Sequence, residues 1–253
     1  MPVSHAIILG IIQGLTEVLP ISSSAHLVIF PWFFNWQYQG LSFDVALHFG
    51  TALAFIVYFF NDWVEMIKGR NSLFWCIVIG TIPGTFAGLL LEYRAETIFR
   101  SPLVIMAMLA LFAIILMAAD HLGKKERSMG QMNIRSAFAI GLAQAIAIIP
   151  GVSRSGITMT AGLFKGFSRE AAAKFSFFLA TPIVIAAGIL KLSKLPAADF
   201  NAPFWLGIIF SAVSGFAGIH FFLNFVKRSN LNVFVFYRIA LAGVILILFF
   251  IKH

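Results

Sequence analysis

The chain has 253 residues, of which 60% are hydrophobic and 11% charged, and its mean hydropathy is +0.94. So little polar surface cannot cover a soluble globule of this size, which excludes a water-soluble enzyme and sets the expectation of an integral membrane protein. The formal net charge of +8 would point to nucleic acid in a soluble chain, but most basic residues here fall in short connections between apolar segments, where they report orientation and no nucleic-acid partner is implied.

The spans are expected to be helices, because lipid leaves no partner for unpaired backbone groups and the alternation of barrel strands is absent. The first apolar stretch, residues 3–19, carries Gln13 and Glu17 and ends at Pro20-Ile-Ser-Ser-Ser-Ala-His26; a second short stretch, 27–36, follows. Each is shorter than the ~20 residues a crossing needs, so the pair, about residues 5–36, reads as a re-entrant helix-loop-helix. Residues 43–60, 73–91 and 101–119 read as three full crossings, joined by loops holding Asp62, Glu65, Lys68 and Arg70, then Glu92, Arg94, Glu96 and Arg100. Cys76, the single cysteine, lies in an apolar run and excludes an intrachain disulfide.

A basic linker, residues 121–135, comes next, and then the pattern restarts. Gly14-Leu-Thr-Glu17 is echoed by Gly141-Leu-Ala-Gln144, Asp44-Val-Ala-Leu-His-Phe49 by Glu170-Ala-Ala-Ala-Lys-Phe175, and Phe86-Ala-Gly88 by Phe216-Ala-Gly218. The echoes keep their order at separations near half the chain, as a duplicated unit would. The expected fold is therefore an all-α polytopic membrane protein of two inverted-topology repeats, 1–120 and 136–253, each a re-entrant helix pair plus three transmembrane helices. The second re-entrant pair spans about residues 136–168, and the two interrupted segments should meet near the midplane. One face of this topology holds Lys68, Arg70, Lys124, Lys125, Arg127, Arg135, Lys165, Arg169, Lys174, Lys227 and Arg228; the other holds Arg94, Arg100, Lys191, Lys194 and Lys252. The first face should be cytoplasmic, with both termini outside.

The polar segment Pro150-Gly-Val-Ser-Arg-Ser-Gly-Ile-Thr158 has the chemistry of a phosphate cradle. Gly151 and Gly156 let the backbone approach a ligand, Ser153, Ser155 and Thr158 supply hydroxyls, and Arg154 supplies a fork of donors. Glu17 is an ionisable group in an apolar segment, which calls for a metal ion, a cation such as Arg154 or a proton-transfer task; a purely structural Glu17–Arg154 pair is the competing reading. Gln13, four residues earlier, shares its helix face. His26 follows the serines closely enough for one of them to reach it as nucleophile to base, while Ser22 and Ser24 read as helix caps or phosphate contacts. His48, one turn after Asp44, is either support for the site or an ordinary polar pair. Arg238 reads as a snorkelling arginine at the start of the last span.

Gln13-Gly-Leu-Thr-Glu-Val-Leu-Pro-Ile-Ser-Ser-Ser-Ala-His26 and residues 150–158 resemble the paired signature motifs of the bacterial undecaprenyl-diphosphate phosphatase family, also called the bacitracin-resistance protein family. The segments from Asp44 and Glu170 resemble its intermediate stretches, so the likeness covers nearly the whole chain. The resemblance implies an enzyme of the bacterial plasma membrane, open to the extracytoplasmic side, that removes the terminal phosphate of undecaprenyl diphosphate, recycles the lipid carrier for cell-wall polymers and confers bacitracin resistance. It implies a divalent cation, Mg or Ca, and carries catalytic roles onto Glu17, Ser23, His26 and Arg154. It carries phosphate binding onto Gly151, Ser153, Arg154, Ser155 and Thr158, and a weaker metal role onto Gln13 beside Glu17. His48 and Gln144 are expected to support these from behind. Because this chain has the neutral residue at Gln13, any metal must lean on Glu17, phosphate oxygens and water. Attack by Ser23 and direct attack by water both stay open, as do a monomer and a homodimer. The alternative of another class is an inverted-repeat transporter or flippase for an anionic or phosphorylated lipid, with Arg154 holding the translocated anion; a non-catalytic scaffold leaves the paired polar segments unexplained.

Overall fold

Two prolines decide where the short apolar helices stop. A residue before proline is pushed out of the helical region, and Leu19 before Pro20 (φ −75°, ψ 145°) and Ile149 before Pro150 (φ −83°, ψ 118°) are both extended. In the computed structural model, α1 (Val3–Val18) therefore ends just short of Pro20, and α2 (Ser23–Phe33) starts after a four-residue connection. Likewise α7 (Ile134–Ala145) passes through a 3-10 turn, Ile146–Ile148, before α8 (Arg154–Phe164). The structure describes residues 1–37, 40–69, 71–96, 98–193 and 195–252. Arg70 and Lys194 lie outside these, as do the side chains of Glu92, Arg94, Glu96 and Lys252.

The remaining helices are α3 (Leu41–Tyr58), α4 (Phe60–Gly69), α5 (Ser72–Glu96), α6 (Pro102–Leu122), α9 (Arg169–Leu192), α10 (Ala202–Arg228) and α11 (Asn232–Lys252). Among the described residues five segments are long and apolar enough to cross a bilayer, in α5, α6, α9, α10 and α11. This is a multi-pass membrane protein. Its outward faces agree: Ile82, Phe86, Leu89 and Leu90 of α5 and Phe236 and Phe250 of α11 are all more than half exposed, which lipid tolerates and water does not.

One expectation needs correction. The segment after residue 60, expected as a loop holding Asp62 and Glu65, is helical, and α3 and α4 meet at a bend of 75°. The bend carries no proline or glycine. It is held from outside, by Lys174 of α9 donating to Asp62 at 2.6 Å and by burial of Met66.

Helix pairing follows a reciprocal pattern: α1 lies along α10 and α7 along α5, while α3 packs on α9 and α6 on α11. The first two contacts are close because of Gly14 and Gly141. A Cβ on Gly14 would fall 2.0 Å from Ser214 Oγ of α10, and one on Gly141 would fall 2.2 Å from the Gly80 carbonyl oxygen of α5. Between these layers runs an aromatic core that includes Phe55, Phe59, Phe177, Phe178, Phe222 and Phe234. At one end, Asp120, 1% exposed, accepts from Arg169 Nε at 2.5 Å and from the Leu231 backbone N–H at 2.9 Å, which ties α6, α9 and the α10–α11 turn together.

Candidate active site

The starts of α2 and α8 are built alike. Ser22 and Ser153, the residues just before each helix, both hold positive φ (73° and 70°), a region closed to most residues with a side chain. Each has its hydroxyl 3.3 Å from the serine two residues on, Ser24 and Ser155 respectively. Ser153 Oγ also accepts from the Gly156 N–H at 3.1 Å and so caps α8. The strain is compensated across the gap: the Gly151 N–H donates to Ser22 Oγ at 3.1 Å, and Ser155 Oγ donates to the Leu19 carbonyl at 3.0 Å. The two broken segments thus hold each other.

Ser23 and Arg154 are the first residues of these two helices, and both reach one carboxylate. Ser23 Oγ donates to Glu17 Oε2, and Arg154 Nη2 donates to Glu17 Oε1 at 2.7 Å. Gln13 Nε2 donates to Oε2 at 3.1 Å, and His48 Nε2 lies 3.3 Å from it. Arg154 is steadied from α9, where its Nη1 donates to the Ser176 carbonyl at 2.8 Å. Glu17 is only 5% exposed, yet every charge and hydrogen bond a buried carboxylate needs surrounds it. Glu17, Ser23, Ser24, His48, Gln144, Ser153 and Arg154 line one cavity of about 230 Å³, whose remaining wall is apolar and comes from α5, α9 and the turn after α7.

Other predicted residues are placed differently. His26 is not on Ser23: Nδ1 is 2.7 Å from the Ser22 carbonyl, which also accepts the His26 backbone N–H at 3.3 Å, and Nε2 is 2.7 Å from Tyr237 Oη of α11. The pairing of His48 with the Asp44 carboxylate does not form either. His48 Nδ1 takes the Asp44 backbone carbonyl at 2.7 Å, while the Asp44 carboxylate accepts from Arg100 at 2.9 Å. That leaves His48 in the cavity itself, beside Glu17. Gly151, Ser155 and Thr158, expected at the phosphate, do not line the cavity. Thr158 Oγ1 donates to the Arg154 carbonyl at 2.8 Å and lies 2.7 Å from Ser176 Oγ, so it fixes Arg154 from below.

The sequence reading missed Arg238. It does not snorkel; it is fully buried, and its Nη2 donates to the Gly151 and Val152 carbonyls at 2.9 and 3.0 Å, with Pro20 and Met108 carbonyls at 3.5 Å. The inward face of α11 points it at the broken segments. An arginine well inside an apolar run was the available signal, since such residues tend to face the protein interior.

The oxygen donors bear on a divalent cation. Among the described residues no three His, Cys, Asp or Glu side chains cluster as a metal cage. Glu17 is the carboxylate of the cavity, and Gln13 Oε1, buried beside it, has no partner among the described residues. This donor set fits a cation that brings most of its ligands with it, as Mg bound to phosphates does, and does not fit a resident metal held by protein alone.

A family model described as Bacitracin resistance protein BacA matches residues 6–244. An undecaprenyl-diphosphatase of Moorella thermoacetica is 47% identical over 261 residues, covering 100% of both chains. One of Elusimicrobium minutum is 46% identical over 252 residues and 96% of each chain, and one of Geobacter sulfurreducens is 45% identical over 270 residues and 100% of each.

Proposed function

The chain belongs to the bacitracin resistance protein family, and we propose from that premise that its cavity hydrolyses undecaprenyl diphosphate to undecaprenyl phosphate and inorganic phosphate. The observation that carries the reading is the convergence of Ser23 and Arg154, from two separate broken helices, on the buried carboxylate of Glu17. A nucleophile, its proton acceptor and a bidentate phosphate donor are thereby in one place. The carrier alternative has no observation of its own, and the relatives are named as hydrolases.

The terminal phosphate would sit against Arg154, Ser153 and the N-terminus of α8, where free N–H groups and the helix dipole favour an anion. Ser23 Oγ attacks the terminal phosphorus in line and gives its proton to Glu17. The bond to the bridging oxygen breaks, and that oxygen leaves with the electron pair on undecaprenyl phosphate, which takes up the proton. Water then attacks the phosphoserine, its proton passes through Glu17 to the Ser23 oxygen, and inorganic phosphate departs. His48 and Gln13 hold Glu17 Oε2 in position throughout. A divalent cation, Mg or Ca, held by Glu17 and the phosphates would offset their charge.

The reciprocal helix pairing and the matching starts of α2 and α8 support an inverted repeat of residues 1–120 and 136–253. The basic residues gathered near Asp120 and Glu170 support a cytoplasmic position for that end. The cavity then opens to the extracytoplasmic side of the bacterial plasma membrane, where the spent lipid carrier of cell-wall synthesis appears. Phosphate release from undecaprenyl diphosphate by purified protein in detergent, with and without chelator, tests this. Glu17→Ala and Arg154→Ala should each lower the rate by on the order of 100-fold or more, and a folded wild type that releases no phosphate would overturn the reading.

A further inference from the structure

One polar side chain reaches the cavity with nothing to bond among the described residues. Gln144, near the end of α7, is 4% exposed and lines the cavity, and among the described residues neither its Nε2 nor its Oε1 has a hydrogen-bond partner. An unpaired buried amide is costly, so its presence in a cavity wall calls for a polar ligand.

Its surroundings narrow the ligand. Across from it stands Gly84 of α5, whose Cβ, if it had one, would lie 3.1 Å from Gln144 Nε2; one turn on, Gly88 would meet nothing within 4 Å among the described residues. Both glycines line the same cavity, opposite Ile183 and Val184 of α9. This flank therefore offers one neutral amide and beyond it only apolar, open space. The outer face of α5, with Phe86 and Leu89, is exposed where the bilayer lies. A neutral donor followed by an apolar way out suits the part of a lipid diphosphate where the head group meets the tail.

We propose that Gln144 Nε2 binds the proximal phosphate of the substrate, the one retained on the lipid, and that the first isoprene units leave over Gly84 and Gly88. The proposal rests on the lipid-diphosphatase reading and adds to it a subsite for the leaving group. Arg154, Ser23 and Glu17 serve the terminal phosphate, whereas Gln144 serves the product that stays in the membrane.

The test is binding of undecaprenyl phosphate and, separately, of inorganic phosphate to the full chain in detergent. Gln144→Leu should weaken undecaprenyl phosphate by roughly tenfold to a hundredfold, the worth of a hydrogen bond to a charged group, and change inorganic phosphate by less than about twofold. Gly88→Leu should weaken undecaprenyl phosphate in the same selective way, with the melting temperature of both variants retained. Equal losses for both ligands, or no loss for either because Gln144 holds only water, would overturn the proposal. Binding is read without turnover, so selective weakening in a wild-type background that hydrolyses nothing would sink the proposed activity and leave this subsite standing.

Discussion

Arg154 Nη2 and Glu17 Oε1 lie 2.7 Å apart across two helices separated by 137 positions in the chain, and the pair is nearly closed to solvent. The fork of Arg154 spans Glu17 on one side and the Ser176 carbonyl on the other. A lysine keeps the charge and cannot span both. Arg154→Lys should therefore lower kcat by on the order of 100-fold or more, as loss of a preorganised donor does. Combined with Glu17→Gln, the double variant should lose far less than the product of the single losses, because the two act as one unit. Phosphate-release kinetics on the four proteins decide this, and strict additivity would mean two independent roles.

Arg238 should matter without touching substrate. In Arg238→Met the carbonyls of Gly151 and Val152 lose their buried donor, at a cost of about 1–3 kcal/mol for each group left unpaired. The expected outcome is a folded protein in detergent with a lowered melting temperature and a strongly reduced kcat. An unchanged kcat would show that the 150–153 segment holds its shape without the arginine.

Gly151 and Gly40 both have positive φ, 96° and 87°, but only Gly151 is hemmed in, with a Cβ position 2.5 Å from the Ile105 carbonyl oxygen. Gly40→Ala, at φ 87° and ψ 160°, meets among the described residues only a backbone penalty of roughly 1–3 kcal/mol. Gly151→Ala meets that and a backbone clash beside the Arg238 contact. Activity should survive the first and fall at least tenfold in the second, an estimate from the local displacement of positioned groups. Equal effects in a parallel assay would remove the packing argument.

Asp120 lies outside the cavity and is a stability residue. Asp120→Asn breaks a buried ion pair with Arg169 while keeping one acceptor, so it should destabilise the fold by about 1–3 kcal/mol. Thermal unfolding in detergent should shift downward while the activity of the remaining folded protein is unchanged. A drop in specific activity at low temperature would place Asp120 on a path to the site.

The breaks after α1 and α7 were legible because Pro20 and Pro150 act through local sterics, and Glu17, Ser23 and Arg154 because charge and hydroxyls are conspicuous in an apolar chain. The bend between α3 and α4 was not legible, since Phe59 carries no local signal and the bend is set by Lys174 and by burial of Met66. His26 misled for a related reason. Proximity in sequence put it beside Ser23, but the Ser22 carbonyl and Tyr237, a residue 211 positions away, take its ring. Arg238 has the same character: its carbonyl partners lie 86 to 218 positions away in sequence.

Tyr237 and Arg238 are neighbours on the final helix, and between them they fasten both broken segments, Tyr237 to His26 of α2 and Arg238 to the carbonyls before α8. The residues that line the cavity all come earlier in the chain. During biosynthesis Ser23 and Glu17 thus pass through the ribosome and into the bilayer well before the clamp on the two broken segments exists. If the clamp matters to turnover as predicted for Arg238, catalytic competence waits on insertion of α11, and a nascent chain stalled before residue 237 is a membrane protein already but not yet an enzyme.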